Sequence, residues 1–415
     1  MIGWALRDSF KKYRFTTFKH DLVAGLIVSL VALPLAMALA IAVGLPPQHG
    51  IYTAVVAGIS VPLLGGSYHQ VSGPTAAFVV IVAPIINQYG LRGLIITTII
   101  AGFILIAAGA LKLGRYIHYV PYPVVTGFTS GIALTIAVLS LNDFLGLSIA
   151  KMPDSFLDKV VLIAKHFNFA HWSEILVGFV SILFMLISQR VIKKIPSPIV
   201  GITAGALLGL LLNSYGVEIV TIGSRFSQML PNSLSFGFLT LPSFNEIRIL
   251  SIPAVIIAAL AALESLLSAT VADRMAGTKH NPNAELIGIG VGNILSGLAS
   301  GIPATGALAR TATNIQSGGK TPLASSIHAL FIALYVLFFS HYISYIPMAS
   351  LAALLLIVAY RMSHLQQFIH IIKAGPIKDA LVLVTCFVFT VAIDMVAGVA
   401  IGIVLAYTLK WFRKD

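Results

Sequence analysis

Twelve apolar runs follow one another along this chain with short polar or basic gaps between them, and most are long enough to cross a bilayer. They lie near residues 22–44, 50–64, 92–111, 123–141, 174–189, 198–213, 250–272, 285–299, 321–340, 347–361, 378–391 and 393–410. A helix needs about 20 apolar residues to cross the hydrocarbon core. The pattern therefore predicts an all-α polytopic membrane protein. Composition agrees: 58% of the 415 residues are apolar and 10% are charged, against about 25% charged in a soluble domain. That excludes a soluble enzyme, a disordered scaffold and a disulfide-rich secreted protein. No Ser/His/Asp arrangement, metal-ligand cluster or carboxylate pair stands out, so the chain is read as a non-enzyme with no cofactor beyond a coupling ion. The net charge of +12 does not indicate a nucleic-acid partner, because the basic residues sit in the gaps between spans and not on one folded face. Cys386, the single cysteine, reads as a small core residue.

Two further runs, near 74–88 and 303–316, are too short to cross alone. Each reads as a helix starting at a proline after a Gly-containing approach: Ser72-Gly73-Pro74-Thr75-Ala76-Ala77 and Gly301-Ile302-Pro303-Ala304-Thr305-Gly306-Ala307. Counting both gives fourteen spans, an even number, so both termini fall on one side. Threading the chain this way puts nineteen of the 26 basic residues on the side of the termini. The positive-inside rule makes that side cytoplasmic, and the membrane the inner (plasma) membrane. Outside loops are expected near 143–173 and 214–249.

Aligning Pro74 on Pro303 gives an offset of 229 between the halves. It carries Glu264 to position 35, beside Pro34 in the first span. Seven spans per half is odd, so the halves form an inverted 7+7 repeat with two half-helices meeting at mid-membrane. Matching broken helices in inverted halves are the best sequence pointer to a transport site. Irregular backbone at that depth survives only inside protein or beside a water-filled cavity. Two opposed helix starts, each with unpaired N–H groups and about +0.5 of a charge, suit an anion.

Few ionisable residues lie inside spans, and such residues are costly enough to mark function. Glu264 is mid-span, and Ser268 is one turn on along the same face. A carboxylate and a hydroxyl suit either Na⁺ or a proton. Arg310, read as two turns into the second short helix, either adds positive potential to the anion site or pairs with Glu264, with a helix-packing ion pair or a snorkelling side chain as the alternatives. Asp394 reads as an interfacial cap, and His328 as a satisfied packing residue. Ser317-Gly318-Gly319-Lys320-Thr321 lacks the earlier glycine and the preceding strand of a phosphate loop, so it reads as a helix stop.

From about Asp21 to Tyr407 the chain resembles the sulfate permease (SulP) family of anion transporters. The resemblance rests on the first-span run Ala32-Leu33-Pro34-Leu35-Ala36-Met37-Ala38-Leu39-Ala40, on Gly50-Ile51-Tyr52-Thr53 and on Gly65-Gly66-Ser67. It rests most specifically on Val71-Ser72-Gly73-Pro74-Thr75-Ala76-Ala77. Glu264-Ser265-Leu266-Leu267, Gly277-Thr278-Lys279-His280, Asn283-Ala284-Glu285-Leu286 and Gly318-Gly319-Lys320-Thr321 extend it. The resemblance implies the uracil-permease-like fold. A core domain (21–122 and 250–340, spans 1–4 and 8–11) then moves against a gate domain (123–249 and 341–410, spans 5–7 and 12–14) in a homodimer. Residues 1–20 form a cytoplasmic N-terminus.

The resemblance also places substrate against Leu35, Ala36 and Met37, against Thr75, Ala76 and Ala77, and against Ala307, Leu308 and Ala309. Arg310 matches a basic position, and Glu264 with Ser268 a cation-coupling pair of some members. Members usually carry a cytoplasmic STAS domain after the last span, whereas 411–415 is expected to be a short end without one. The motifs stand nearest to bacterial C4-dicarboxylate members, which implies symport of fumarate or succinate; a Glu rather than an Asp at position 264 favours H⁺ over Na⁺ as the coupling ion. Sulfate transport, Na⁺-coupled bicarbonate transport and an uncoupled exchanger or channel stand as alternatives. A nucleobase permease of the same fold would need polar side chains facing the ring, and the alanine-rich helix starts offer few.

Overall fold

The computed structural model describes residues 3–11, 13–115, 121–147, 149, 151–192, 195–226, 242–393 and 395–411. A short α1 (Trp4–Phe10) precedes the first two spans, α2 (Phe15–Ala42) and α3 (Gln48–Leu64). A strand β1 (Ser72–Gly73) and a 3₁₀ turn (Ala76–Phe78) lead into α4 (Val79–Ala110). Next come α5 (Tyr122–Phe144), α6 (Phe156–His166), α7 (Trp172–Val191), α8 (Ser197–Ser214) and the short α9 (Ile222–Arg225). The second half runs through α10 (Phe244–Ala276), α11 (Pro282–Leu298), β2 (Thr305–Gly306), α12 (Leu308–Gln316), α13 (Pro322–Ile343) and α14 (Met348–Met362). It ends with α15 (Leu365–Ala374), α16 (Ile377–Ala392) and α17 (Met395–Trp411).

These elements make the fourteen passes expected, in the inverted 7+7 arrangement. Among the described residues, eight helical stretches are long and apolar enough to cross unaided. α4 contains two passes, broken at Gly90, whose φ of 64° and ψ of −170° lie where an L side chain is strained. α12 covers only half the membrane. Its seven-residue extended approach, 301–307, reaches about 23 Å, and the nine helical residues add about 14 Å. Together they suffice for a core of about 30 Å.

The helices sort into two packed groups. α2, α3, α4, α10, α11, α12 and α13 pack on one another, as do α5, α7, α8, α14, α16 and α17. The groups meet where α14 lies against α2 and α5 touches the 3₁₀ turn. Small residues let helices cross closely: a Cβ on Gly102 of α4 would lie 2.6 Å from the Gly290 carbonyl of α11. Backbone approach through small residues is how membrane helices gain packing without a hydrophobic drive.

The sequence expectation needs correcting at the repeat. α3 and α11 begin at Gln48 and Pro282 and end at Leu64 and Leu298, so both differences (282 − 48 and 298 − 64) are 234. The short helical segments begin at Ala76 and Leu308, 232 apart (308 − 76). The offset is thus 232–234, not 229, and Glu264 corresponds to Leu30–Ala32, a turn before Leu35. Pro303 does not start a helix. It precedes β2 by two residues, whereas Pro74 follows β1 directly. Proline has no N–H for a ladder, so it is tolerated on either side of a strand. Aligning the two prolines therefore misplaced the frame.

Two expected loops carry structure. The 143–173 segment holds α6 and a 3₁₀ turn (Phe167–Phe169). The 214–249 segment holds α9 and an isolated bridge from Thr221 to Pro347. Asp394 lies outside the described residues.

Candidate functional site

β1 and β2 pair antiparallel, Ser72 opposite Gly306 and Gly73 opposite Thr305. With the isolated Thr221–Pro347 bridge, this two-residue ribbon is all the β structure among the described residues. It joins the approaches to the two half-helices, and the Ala307 amide extends it by donating to the Val71 carbonyl at 2.8 Å. Extended backbone at this depth needs a partner for every polar group, and buried side chains supply many of them. Thr53 Oγ1 accepts from the Ile302 amide at 2.7 Å and donates to the Ile302 carbonyl at 2.9 Å. Asn293 clasps both backbone groups of Ala304 at 2.9 Å. Ser265 Oγ accepts from the Gly306 amide at 3.0 Å and shares a 2.7 Å bond with Thr305 Oγ1. Glu285 takes the Gly66 and Ser67 amides, both at 2.8 Å, and Gln70 Nε2 at 2.7 Å. The sequence reading did not assign Thr53, Gln70, Ser265, Asn293 or Thr305 a role. Thr53, Asn293 and Thr305 are single polar residues in apolar runs, and that was the available signal; Gln70 follows His69 and Ser265 follows Glu264, so neither stood out.

Neither half-helix has a side-chain cap on its first turn. Thr75 occupies the cap position of the first, but its hydroxyl donates to Glu264 Oε2 at 2.8 Å. Arg310 is the third residue of α12 and so lies in its first turn, not two turns in. The side chain is 1% exposed, too buried for a snorkelling residue. It crosses to the other approach: Nη2 donates to the Pro74 carbonyl, and Nη1 packs where a Cβ on Gly73 would sit, 2.6 Å away. Gly73 is thus needed at the crossing. Arg310 Nε and Nη1 have no hydrogen-bond partner among the described residues, and no ion pair joins Arg310 to Glu264. Arg310 thus lies across both helix starts and makes no direct ion pair with Glu264.

The remaining residues divide. Leu35, Thr75 and Glu264 are half-buried. Ala36, Met37, Ala76, Ala77 and Ala307 are buried, and the Ala36 carbonyl faces Gly50 of α3 closely enough to exclude any side chain there. Leu308 is 42% exposed, and Ala309 beside it is also exposed. Ser268 does not join Glu264: its hydroxyl reaches Thr311 Oγ1 at 3.4 Å, and that oxygen also accepts from the Val71 amide at 3.0 Å. A shared helix face placed Ser268 near Glu264 along α10, but the approach of α12 claims it. His328 is buried, with Nδ1 against the Ser325 carbonyl and Nε2 unpartnered. The Gly318–Thr321 stop ends at Asp21, which accepts from the Lys320 amide at 2.7 Å and Thr321 Oγ1 at 2.6 Å.

Comparison with known proteins matches residues 18–386 to the model of the sulfate permease family. The chain belongs to that family. It is 39% identical over 404 residues to the putative sulfate transporter YvdB of Bacillus subtilis, covering 96% of this chain and 74% of that one. It is 31% identical over 418 residues to the bicarbonate transporter BicA of Synechocystis, covering 97% and 72%. The solved transmembrane domain of a cyanobacterial bicarbonate transporter BicA superposes with a TM-score of 0.82 at 29% identity, covering 93% of this chain and 98% of that one. This sulfate permease family member is a multi-pass membrane anion transporter.

Proposed function

We propose that the protein is a secondary active transporter of a small oxyanion, with the anion held at the two half-helix starts and Glu264 carrying a coupling proton. The observation behind this is Arg310: a buried guanidinium with two unused donors, lying across both approaches beside uncapped helix starts. Such donors in a low-dielectric site hold an anion strongly. The exposed Leu308 and Ala309 leave one side of this arrangement open to an entering ion.

Glu264 hangs from Thr75, and Ser268 is engaged elsewhere. A carboxylate with one hydroxyl partner suits a proton better than a hard cation, which takes about six oxygens. The first helical group moves as the core, with the second as the gate, in a homodimer with cytoplasmic termini. Sulfate and bicarbonate are the first substrates to try, because relatives covering nearly the whole chain carry those names. Fumarate and succinate follow on the motif resemblance alone.

The test is uptake of labelled sulfate, bicarbonate and fumarate into proteoliposomes, under an inward proton gradient and then under a sodium gradient. Accumulation of one anion above equilibrium, driven by protons, is expected. Glu264→Gln should abolish that accumulation and leave anion exchange running. Accumulation driven by sodium alone, or surviving in Glu264→Gln, would sink the proton role.

A further inference from the structure

The gap between α14 and α16 reads in sequence as one more short basic connection, but it holds a helix with no buried residue, α15. The chain enters it through His364 in the left-handed region (φ 43°) and leaves through Gly375 and Pro376. Leu365, Ile369 and Ile372 are 48%, 42% and 45% exposed and share one helical face. Phe368 and Ile371 turn the flank of that face toward the protein, Phe368 with its ring edge-on to Phe387 of α16 at 5.4 Å. Gln366, His370 and Lys373 occupy the opposite side, and Gln367 accepts a 2.8 Å bond from Tyr122 at the start of α5. From Arg361 to Lys378 the segment has basic residues and no acidic one.

An apolar stripe with a basic flank, fixed at both ends to membrane-crossing helices, fits one occupant in particular. We infer that α15 lies in the headgroup layer and binds anionic phospholipid, with its stripe in the acyl boundary and Lys373 and Arg361 on lipid phosphates. Amphipathic helices of this pattern bury their apolar face in the interface and gain from negative lipid charge. Long basic side chains at that depth reach the phosphates by snorkelling. Because α15 joins two helices of the second group and ties to α5 of the same group, lipid bound here anchors that group in the bilayer. The inference uses the membrane placement of the spans and is independent of substrate and coupling ion.

The experiment needs no transport assay. Cys386 is buried, so a cysteine at Ile369→Cys takes a fluorescent label selectively. The labelled full chain is reconstituted in phosphatidylcholine vesicles with and without phosphatidylglycerol, and quenched by tail-brominated lipid or by aqueous iodide. Bromolipid quenching that rises about twofold or more with phosphatidylglycerol is expected, as is loss of that rise in Arg361→Gln/Lys373→Gln. Lys373→Arg should keep the rise and separates lost charge from lost folding. Quenching by iodide alone would place the stripe in water. Shielding from both quenchers would mean a protein covers it. Either result overturns the inference, as does an identical lipid response in the double variant.

Discussion

The two half-helix starts are related by the internal repeat, yet they carry different chemistry. The first, around Pro74 to Phe78, is neutral and closed: Ala76, Ala77 and Phe78 are buried, and it offers a carbonyl and the Thr75 hydroxyl. The second, around Ala307 to Arg310, is charged and open, with Leu308 and Ala309 exposed. Both membrane-embedded charges of the site, Glu264 and Arg310, come from the second half, while their hydrogen-bond partners at the crossing, Thr75 and Pro74, come from the first. The repeat thus supplies a similar backbone frame in both halves, and at this crossing the second half alone places charges in it. A second arginine or glutamate at the matching position would add a buried charge whose desolvation cost the site has no partner to offset.

The sharpest break in this comparison is Arg310→Ala. If the charged start does the binding, its loss should weaken anion affinity by about 10–100-fold, the scale of a charge-assisted hydrogen bond. The Pro74 carbonyl would also lose its partner. The check is half-saturation for anion uptake, alongside monodisperse elution to show that the protein folds. Arg310→Lys should recover part of the affinity, since a point charge replaces some of the potential but not the fork that spans both approaches. Unchanged affinity in Arg310→Ala would reduce the residue to a structural strut between the approaches.

The span pattern, the fourteen passes and the meeting of two short helices were legible because apolar length and proline-broken runs report them directly. The frame of the repeat was not, since Pro74 and Pro303 flank their strands on opposite sides. Arg310 and Glu264 stood out as charges in apolar runs, but their partners did not. Thr75 stood only among the substrate contacts that the family resemblance implies, and nothing in its own run tied its hydroxyl to Glu264. Ser268 looked like a ligand beside Glu264 until Thr311 claimed it. Those pairings join residues far apart in sequence, and helical periodicity reports only what one helix places on its own face. The lipid-facing character of α15 was hidden for the opposite reason: a ten-residue amphipathic helix is too short to register among runs of twenty.

A bulky residue sharpens the contrast between open and closed. Ala309→Trp adds its ring where the second helix is exposed, so it should fold normally and block uptake. Ala77→Trp adds the same ring where exposure is zero. Overpacking a filled interior costs about 1–3 kcal/mol, so this variant should lose thermal stability as well as uptake. Melting of the two purified variants in detergent separates the cases. Equal melting temperatures would mean that the first start opens as readily as the second, and the asymmetry would then belong to one conformation and not to the two halves.

The smallest expected effect lies at the bond from the Thr75 hydroxyl of the neutral start to Glu264 of the charged half. Thr75→Val keeps the shape of the side chain and removes the hydroxyl that donates to Glu264. A single such bond is worth about 0.5–1.5 kcal/mol net, so proton-driven accumulation should fall by about tenfold at most, while Thr75→Ser stays near the parent. The first half-helix has no other side chain bonded to Glu264 among the described residues. If Thr75→Val leaves accumulation untouched, the first start contributes backbone alone, and the division between a neutral and a charged half is deeper than the hydrogen bond suggests. If it abolishes accumulation as fully as Glu264→Gln, the hydroxyl belongs to the proton-carrying unit itself, and the neutral half takes part in coupling.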